Sequence, residues 1–237
     1  IAQSWLVLKL TGSGTALGII TALQFLPILL FGAWGGVIAD RFPKRTLLYF
    51  TQAAAGMLAF ILGVLVATNV VELWMVGVIA FLLGLVNAVD NPTRQTFIIE
   101  MVEHEHFPNA VSLNATQGNL ARVIGPAIGG TLIATAGIAA CFIANSISYI
   151  AVLAALWLMR PDELSTPPPL DRVKGRLREG FRYVAATPLV RDILVMMAII
   201  GTLSYEFVVI LPLFAEFTFH AGAGGYAGLM SAMGVGS

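Results

Sequence analysis

Long apolar runs alternate with short clusters of charge along this chain. Residues 10–39 and 46–71 contain no Asp, Glu, Lys or Arg, and a further uncharged run covers residues 123–159. A helix needs about 20 mostly apolar residues to cross a bilayer, so each run is long enough to span one. The pattern predicts the closing turns of a first helix over 1–8, a polar turn over 9–15 and a second helix over about 16–38. Pro27 falls inside that helix and is tolerated where neighbours satisfy the freed carbonyl. Gly32, Gly35 and Gly36 leave one face with little bulk for another helix to approach. A third helix is expected over about 46–67. A fourth, over about 73–89, continues into AVDNPTRQTF, where Pro92 ends or bends it. The run 123–159 is too long for one span and divides between residues 136 and 137, giving helices over about 109–135 and 139–159. A seventh helix is expected over about 193–215, a loop over 216–225, and an eighth helix from Tyr226 onward.

Composition turns these runs into a solvent assignment. Hydrophobic residues make up 58% of the chain and charged residues 11%, against about 25% charged in soluble domains. That leaves too little polar material to cover a water-exposed surface. A soluble protein with a large core is excluded because the uncharged runs outlast ordinary buried helices. The expected class is an all-α integral membrane protein.

The net charge of zero hides a spatial asymmetry. Turns near 41–45, 94–106 and 160–191 fall on one side of the predicted membrane. With Arg122 placed in a helix near that side, they account for every Lys and Arg except Lys9. Basic residues in short loops favour the cytoplasmic side. Turns near 9–15, 68–72, 137 and 216–225 face the other way. At Arg160 the composition changes to RPDELSTPPPLDRVKGRLREG, proline-rich and then basic. The prolines at 167–169 favour a stiff, extended segment. Residues 171–183 then fit a short amphipathic helix. Val173, Leu177, Phe181 and Val184 form one stripe, and Lys174, Arg178 and Arg182 another. Such a helix lies on the membrane surface or serves as a solvated linker. The expected organisation is a six-helix bundle over 1–159, a cytoplasmic linker over 160–190, and the start of a second bundle over 191–237. IAQSWLVL reads as the end of a helix and LMSAMGVGS stops inside an apolar run, so a piece of a longer chain is expected.

Ionisable groups within spans are costly and mark functional candidates. Glu206 falls in the middle of the seventh helix and suits proton coupling or a cationic part of a substrate. Asp90 and Arg94, four apart, share a helix face. They are read as a gating pair near the cytoplasmic end of the fourth helix. Arg122 is a candidate partner for Asp90 or for an anionic substrate group. Gln24, Asn114, Gln117, Asn119 and Asn145 line a cavity or bridge helices. Phe25, Phe31, Trp34, Tyr149 and Trp157 pack, or wall an apolar pocket. Cys141 stands alone, and no Cys/His spacing of a zinc site occurs. No GxxxxGK[ST] phosphate loop and no cluster of nucleophile and base is present. Neither an enzyme, nor a cofactor or metal, nor a nucleic-acid partner is expected.

The turn at 36–48, GVIADRFPKRTLL, resembles the signature loop between helices two and three of the major facilitator superfamily, roughly G-x-x-x-D-R-x-G-R-R. Gly36, Asp40, Arg41, Lys44 and Arg45 match, while Pro43 stands where the family usually has Gly. LTGSGTALGIITALQFLPILLFGAWGGVIADR, NAVDNPTRQTFIIEMV and NAVSLNATQGNLARVIGPAIGG are similar to the twelve-span drug:proton antiporter branch, which includes exporters of macrolides and of the siderophore enterobactin. The resemblance implies a two-bundle transporter in a bacterial inner membrane, acting as a monomer. It implies that Asp40 meets a helix terminus of the other bundle, and that Arg41 and Arg45 face acids such as Asp90 or the membrane surface. The expected function is proton-coupled export of a small amphipathic compound such as a drug or siderophore, with lipid and protons as partners. Uptake or facilitated diffusion of a metabolite is the alternative on the same fold.

Overall fold

The structure, a computed structural model, describes residues 1–102, 104–160, 182–203 and 207–236. Among these residues the chain forms helices joined by turns. α1 (Ala2–Thr11) stops at Gly12, whose φ of 60 reverses the chain while its N–H bonds the Leu8 carbonyl. Glycine adopts that left-handed conformation without a Cβ clash. Ser13 then caps α2 (Gly14–Arg41), its hydroxyl accepting from the Ala16 N–H. α3 (Lys44–Ala67) and α4 (Leu73–Glu100) follow, then a single 3₁₀ turn at His104–His106 and α5 (Phe107–Leu158). α6 is Pro188–Leu203 and α7 is Phe207–Leu213. α7 runs into a π-helical turn, Phe214–Thr218, and α8 is Gly222–Val235.

The all-α, multi-span architecture stands. α2 to α5 are each long and apolar enough to cross a membrane. α5 is divided at Gly137, where φ 86 and ψ 173 break the helix into two arms at the position the sequence suggests. Three boundaries differ from expectation. α2 keeps Asp40 and Arg41 within its last turn. α4 passes through Pro92 and on to Glu100, so this proline does not end it. The expected loop over 216–225 is mostly helical, with only residues 219–221 between the π turn and α8. There the Phe219 N–H bonds the Phe214 carbonyl and the Ala221 N–H bonds the Ala215 carbonyl, so the wider turn keeps its backbone paired. The amphipathic stripe over 171–183, apart from its last two residues, and Glu206 lie outside the described residues.

α1 sits at the centre. Leu6, Val7 and Leu8 pack with Leu17 and Ile20 of α2, Leu62 of α3, Val76 of α4 and Ile133 of α5. Around it, α2 packs on α4, α3 on the second arm of α5, and α8 on the first arm. The α2–α4 crossing is reciprocal. A Cβ on Gly35 would strike the Ala88 carbonyl, and one on Gly84 would strike the Gln24 carbonyl and the Pro27 ring. Gly36 faces open space, so of the glycines that suggested a packing face Gly35 makes the close approach. The outer faces remain apolar, with Leu29, Phe50 and Trp157 exposed. In water such surfaces would associate, whereas hydrocarbon matches them.

The crossing generates a direct expectation. Gly84→Ala adds one methyl against the backbone of α2 and should cost about 1–3 kcal/mol, read as a lower unfolding temperature in detergent. Gly18→Ala, where nothing lies within 4 Å of the new carbon, should leave it unchanged. Equal behaviour of the two variants would show that the close approach is not a source of stability.

Candidate functional site

The charges of the α2–α3 turn do not share one network. Asp40, Arg41 and Phe42 are exposed at the tip. Lys44, in the first turn of α3, donates from Nζ to Oε1 of Glu100 at 2.5 Å. Both side chains are largely buried, at 13% and 4% exposure, so the contact is a desolvated ion pair between α3 and α4. Arg45 turns the other way. Its Nε donates to the Leu156 carbonyl at 2.8 Å and its Nη2 to the Trp157 carbonyl at 3.2 Å. Those carbonyls belong to the last turn of α5, the negative end of the helix dipole, so a cation is well placed there. The guanidinium also lies 5.8 Å from the centre of the Tyr49 ring. Glu100 was not among the residues the sequence singled out. EMVEHEH reads as a polar connection, and a partner 56 positions away leaves no local signal.

Asp90 is the second buried acid, 3% exposed in α4. Its Oδ1 accepts from the Thr51 hydroxyl at 2.6 Å and from Gln52 Nε2 at 2.7 Å, both on α3. Its Oδ2 accepts from Arg94 at 2.8 Å, one turn along α4. The Asp90–Arg94 pair therefore forms, but the remaining partners of Asp90 are neutral groups of α3 rather than Arg41 or Arg45. Three donors satisfy an acceptor-only group, which makes Asp90 a tie between α3 and α4.

Of the uncharged polar candidates, Gln24 enters a cleft. Gln3 of α1 donates from Nε2 to Gln24 Oε1 at 3.2 Å. The cleft around them, about 180 Å³, is lined by Ser4, Thr21, Phe25 and Val208 among others. Gln3 escaped notice because residues 1–8 read as the remnant of a helix. Asn114, Asn119 and Asn145 stand exposed on α5, and none of them lines this cleft. Arg122 is also exposed. Its backbone meets Gly234 of α8, where a Cβ would fall 2.7 Å from the Arg122 carbonyl oxygen. The same seam brings Gly130 against Ala227 and lets the Ser231 hydroxyl donate to the Val123 carbonyl at 3.1 Å. Gly130, the last residue of GPAIGG, thus serves the α5–α8 contact, where small residues let two backbones close.

A family profile described as transmembrane secretion effector matches residues 1–237. The chain belongs to this family, within the major facilitator superfamily. Among curated relatives, the staphyloferrin A transporter of Staphylococcus aureus is 34% identical over 158 residues, covering 66% of this chain and 40% of the relative. The enterobactin exporter EntS of Shigella flexneri is 30% identical over 168 residues, covering 68% and 39%. The multidrug efflux pump Tap of Mycobacterium tuberculosis is 31% identical over 201 residues, covering 78% and 46%. The chain spans about two fifths of the length of the first curated relatives it matches. In this family member the signature turn thus contributes two separate tethers, Lys44 to α4 and Arg45 to α5.

A buried ion pair makes asymmetric demands on its partners. Lys44→Met should strand the Glu100 carboxylate and cost about 3–5 kcal/mol, whereas replacing both residues by Met should restore most of that stability. Thermal unfolding of the purified protein would measure it. A double variant as unstable as the single one would mean that the pair contributes through more than its charges.

Proposed function

We propose that the protein is a secondary active transporter that exports a small amphipathic compound in exchange for protons. The observation that carries this reading is the cleft at Gln3 and Gln24. It places carboxamides, hydroxyls and the Phe25 ring together inside a bundle whose outer faces are apolar. Such a chamber suits a solute with an apolar body and hydrogen-bonding groups. Relatives named as an enterobactin exporter and a multidrug efflux pump favour the outward direction. On this reading residues 1–159 form the first bundle, 160–190 a cytoplasmic linker and 191–237 the beginning of the second bundle, in a bacterial inner membrane. The transporter works as a monomer by rocking of one bundle against the other.

Proton coupling is assigned to Glu206. A carboxylate in the middle of a span is costly when charged, so protonation and release can be tied to a change of access. The Asp40-to-Arg45 turn and the Asp90–Arg94 pair hold one conformation, and Arg122 on the α5–α8 seam meets an anionic substrate group.

The test uses the full-length protein in proteoliposomes with an imposed inward proton gradient and a panel of dyes, drugs and siderophores. Gradient-driven efflux should appear for at least one compound and fall at least about tenfold in Glu206→Gln. Efflux that keeps its rate and its pH dependence in that variant would remove Glu206 from the mechanism. Movement independent of the gradient would instead mark a facilitator.

A further inference from the structure

At the end of the bundle opposite the α2–α3 turn lies a larger cleft, about 430 Å³. Its walls come from three places: the last turns of α1, the break in α5, and the segment from the π turn into α8. Trp5, Leu8, Ile133 and Ile138 make most of the lining apolar. Two opposite charges face into it, Lys9 from α1 and Glu216 from the π turn. Neither makes an ion pair or a side-chain hydrogen bond among the described residues. Most other acids of the described bundle are engaged: Glu100 by Lys44, Asp90 by Arg94, and Glu72 by the Trp74 indole. Lys9 and Glu216 thus stand unpaired on different walls of one largely apolar cleft.

The backbone around the same mouth is irregular. Gly137, His220 and Gly222 have positive φ, at 86, 48 and 61, and the π turn sits between α7 and α8. Non-helical points of this kind absorb the dihedral changes of a hinge. An exposed ion pair is worth little, about 0–1 kcal/mol, which suits a contact that must be made and broken once per cycle.

The geometry points to Lys9 and Glu216 as a latch. They pair when this end of the transporter closes and part when it opens, and here they stand unpaired. This rests on the transport reading above, because a carrier that alternates access must close this mouth when the opposite one opens. The pair belongs to the gate and not to the solute chamber, since neither residue lines the cleft at Gln3 and Gln24.

Two arms test it in the full-length protein. In the first, Lys9→Cys and Glu216→Cys are combined with Cys141→Ala, which removes the one cysteine of residues 1–237, in a background with every other cysteine of the full-length protein replaced. A short bis-thiosulfonate reagent is added to membranes, and linked peptides are read by mass spectrometry. A cross-link should form between positions 9 and 216, and it needs no transported compound to be known. No cross-link under any gradient would overturn the latch. In the second, Lys9→Glu and Glu216→Lys should each lower gradient-driven efflux about fivefold or more, and the double exchange should recover at least half. Single reversals without effect, or a double exchange that stays as impaired as the singles, would also overturn it. A protein that cross-links but moves no compound would sink the export reading and leave the closing contact standing.

Discussion

Lipid is as apolar as the side chains it touches, so helices in it are not driven together by burial alone. They must hold one another through close backbone approach and satisfied polar groups. The reciprocal crossing of α2 and α4 meets that constraint. Each helix presses a glycine onto a carbonyl of the other, Gly35 on Ala88 and Gly84 on Gln24. Pro27 occupies the same crossing and survives inside α2 because the neighbouring helix closes over the weakened turn. Gly56 against Tyr149 and Gly63 against Ile143 repeat the device between α3 and the second arm of α5. With these contacts in place α1 can sit at the centre of the group and bury Leu6, Val7 and Leu8.

The polar contacts divide the work by position. Between α3 and α4, Asp90 and Glu100 are both buried and both bonded. Unbonded, either would be among the most costly groups in the chain. The clefts lie elsewhere, beside α1: Gln3 and Gln24 line one, and Lys9 and Glu216 line the other. Charge that fixes the bundle and polarity that can meet a solute are thus kept apart.

The spans were legible because hydrophobic runs of this length have few other uses. The break at Gly137 was legible from length alone. The helix ends were not, since α2 carries Asp40 and Arg41 within its last turn and α4 runs on past Pro92 to Glu100. Asp40 and Arg41 extend α2 at its exposed tip, while Asp90, inside α4, is met by Thr51 and Gln52 from α3. Facing was also hidden. Gln24 and Asn119 look alike as polar residues in apolar runs, yet one bonds Gln3 inside a cleft and the other is exposed on α5. A single long-range contact decides between them, and no periodicity within α2 or α5 encodes it. The signature turn places Lys44 and Arg45 side by side in the chain, but their acceptors lie on two different helices.

Arg45 also bears on the order of assembly. Its acceptors, Leu156 and Trp157, lie more than a hundred residues downstream. During synthesis the guanidinium therefore enters the nascent protein long before the carbonyls it will bond exist. α3 can insert and α4 can pack beside it, but the group of helices stays open on the side where α5 will return. When the last turn of α5 arrives, one side chain draws the two ends of this path together. The final turn of α5 is what finishes the start of α3.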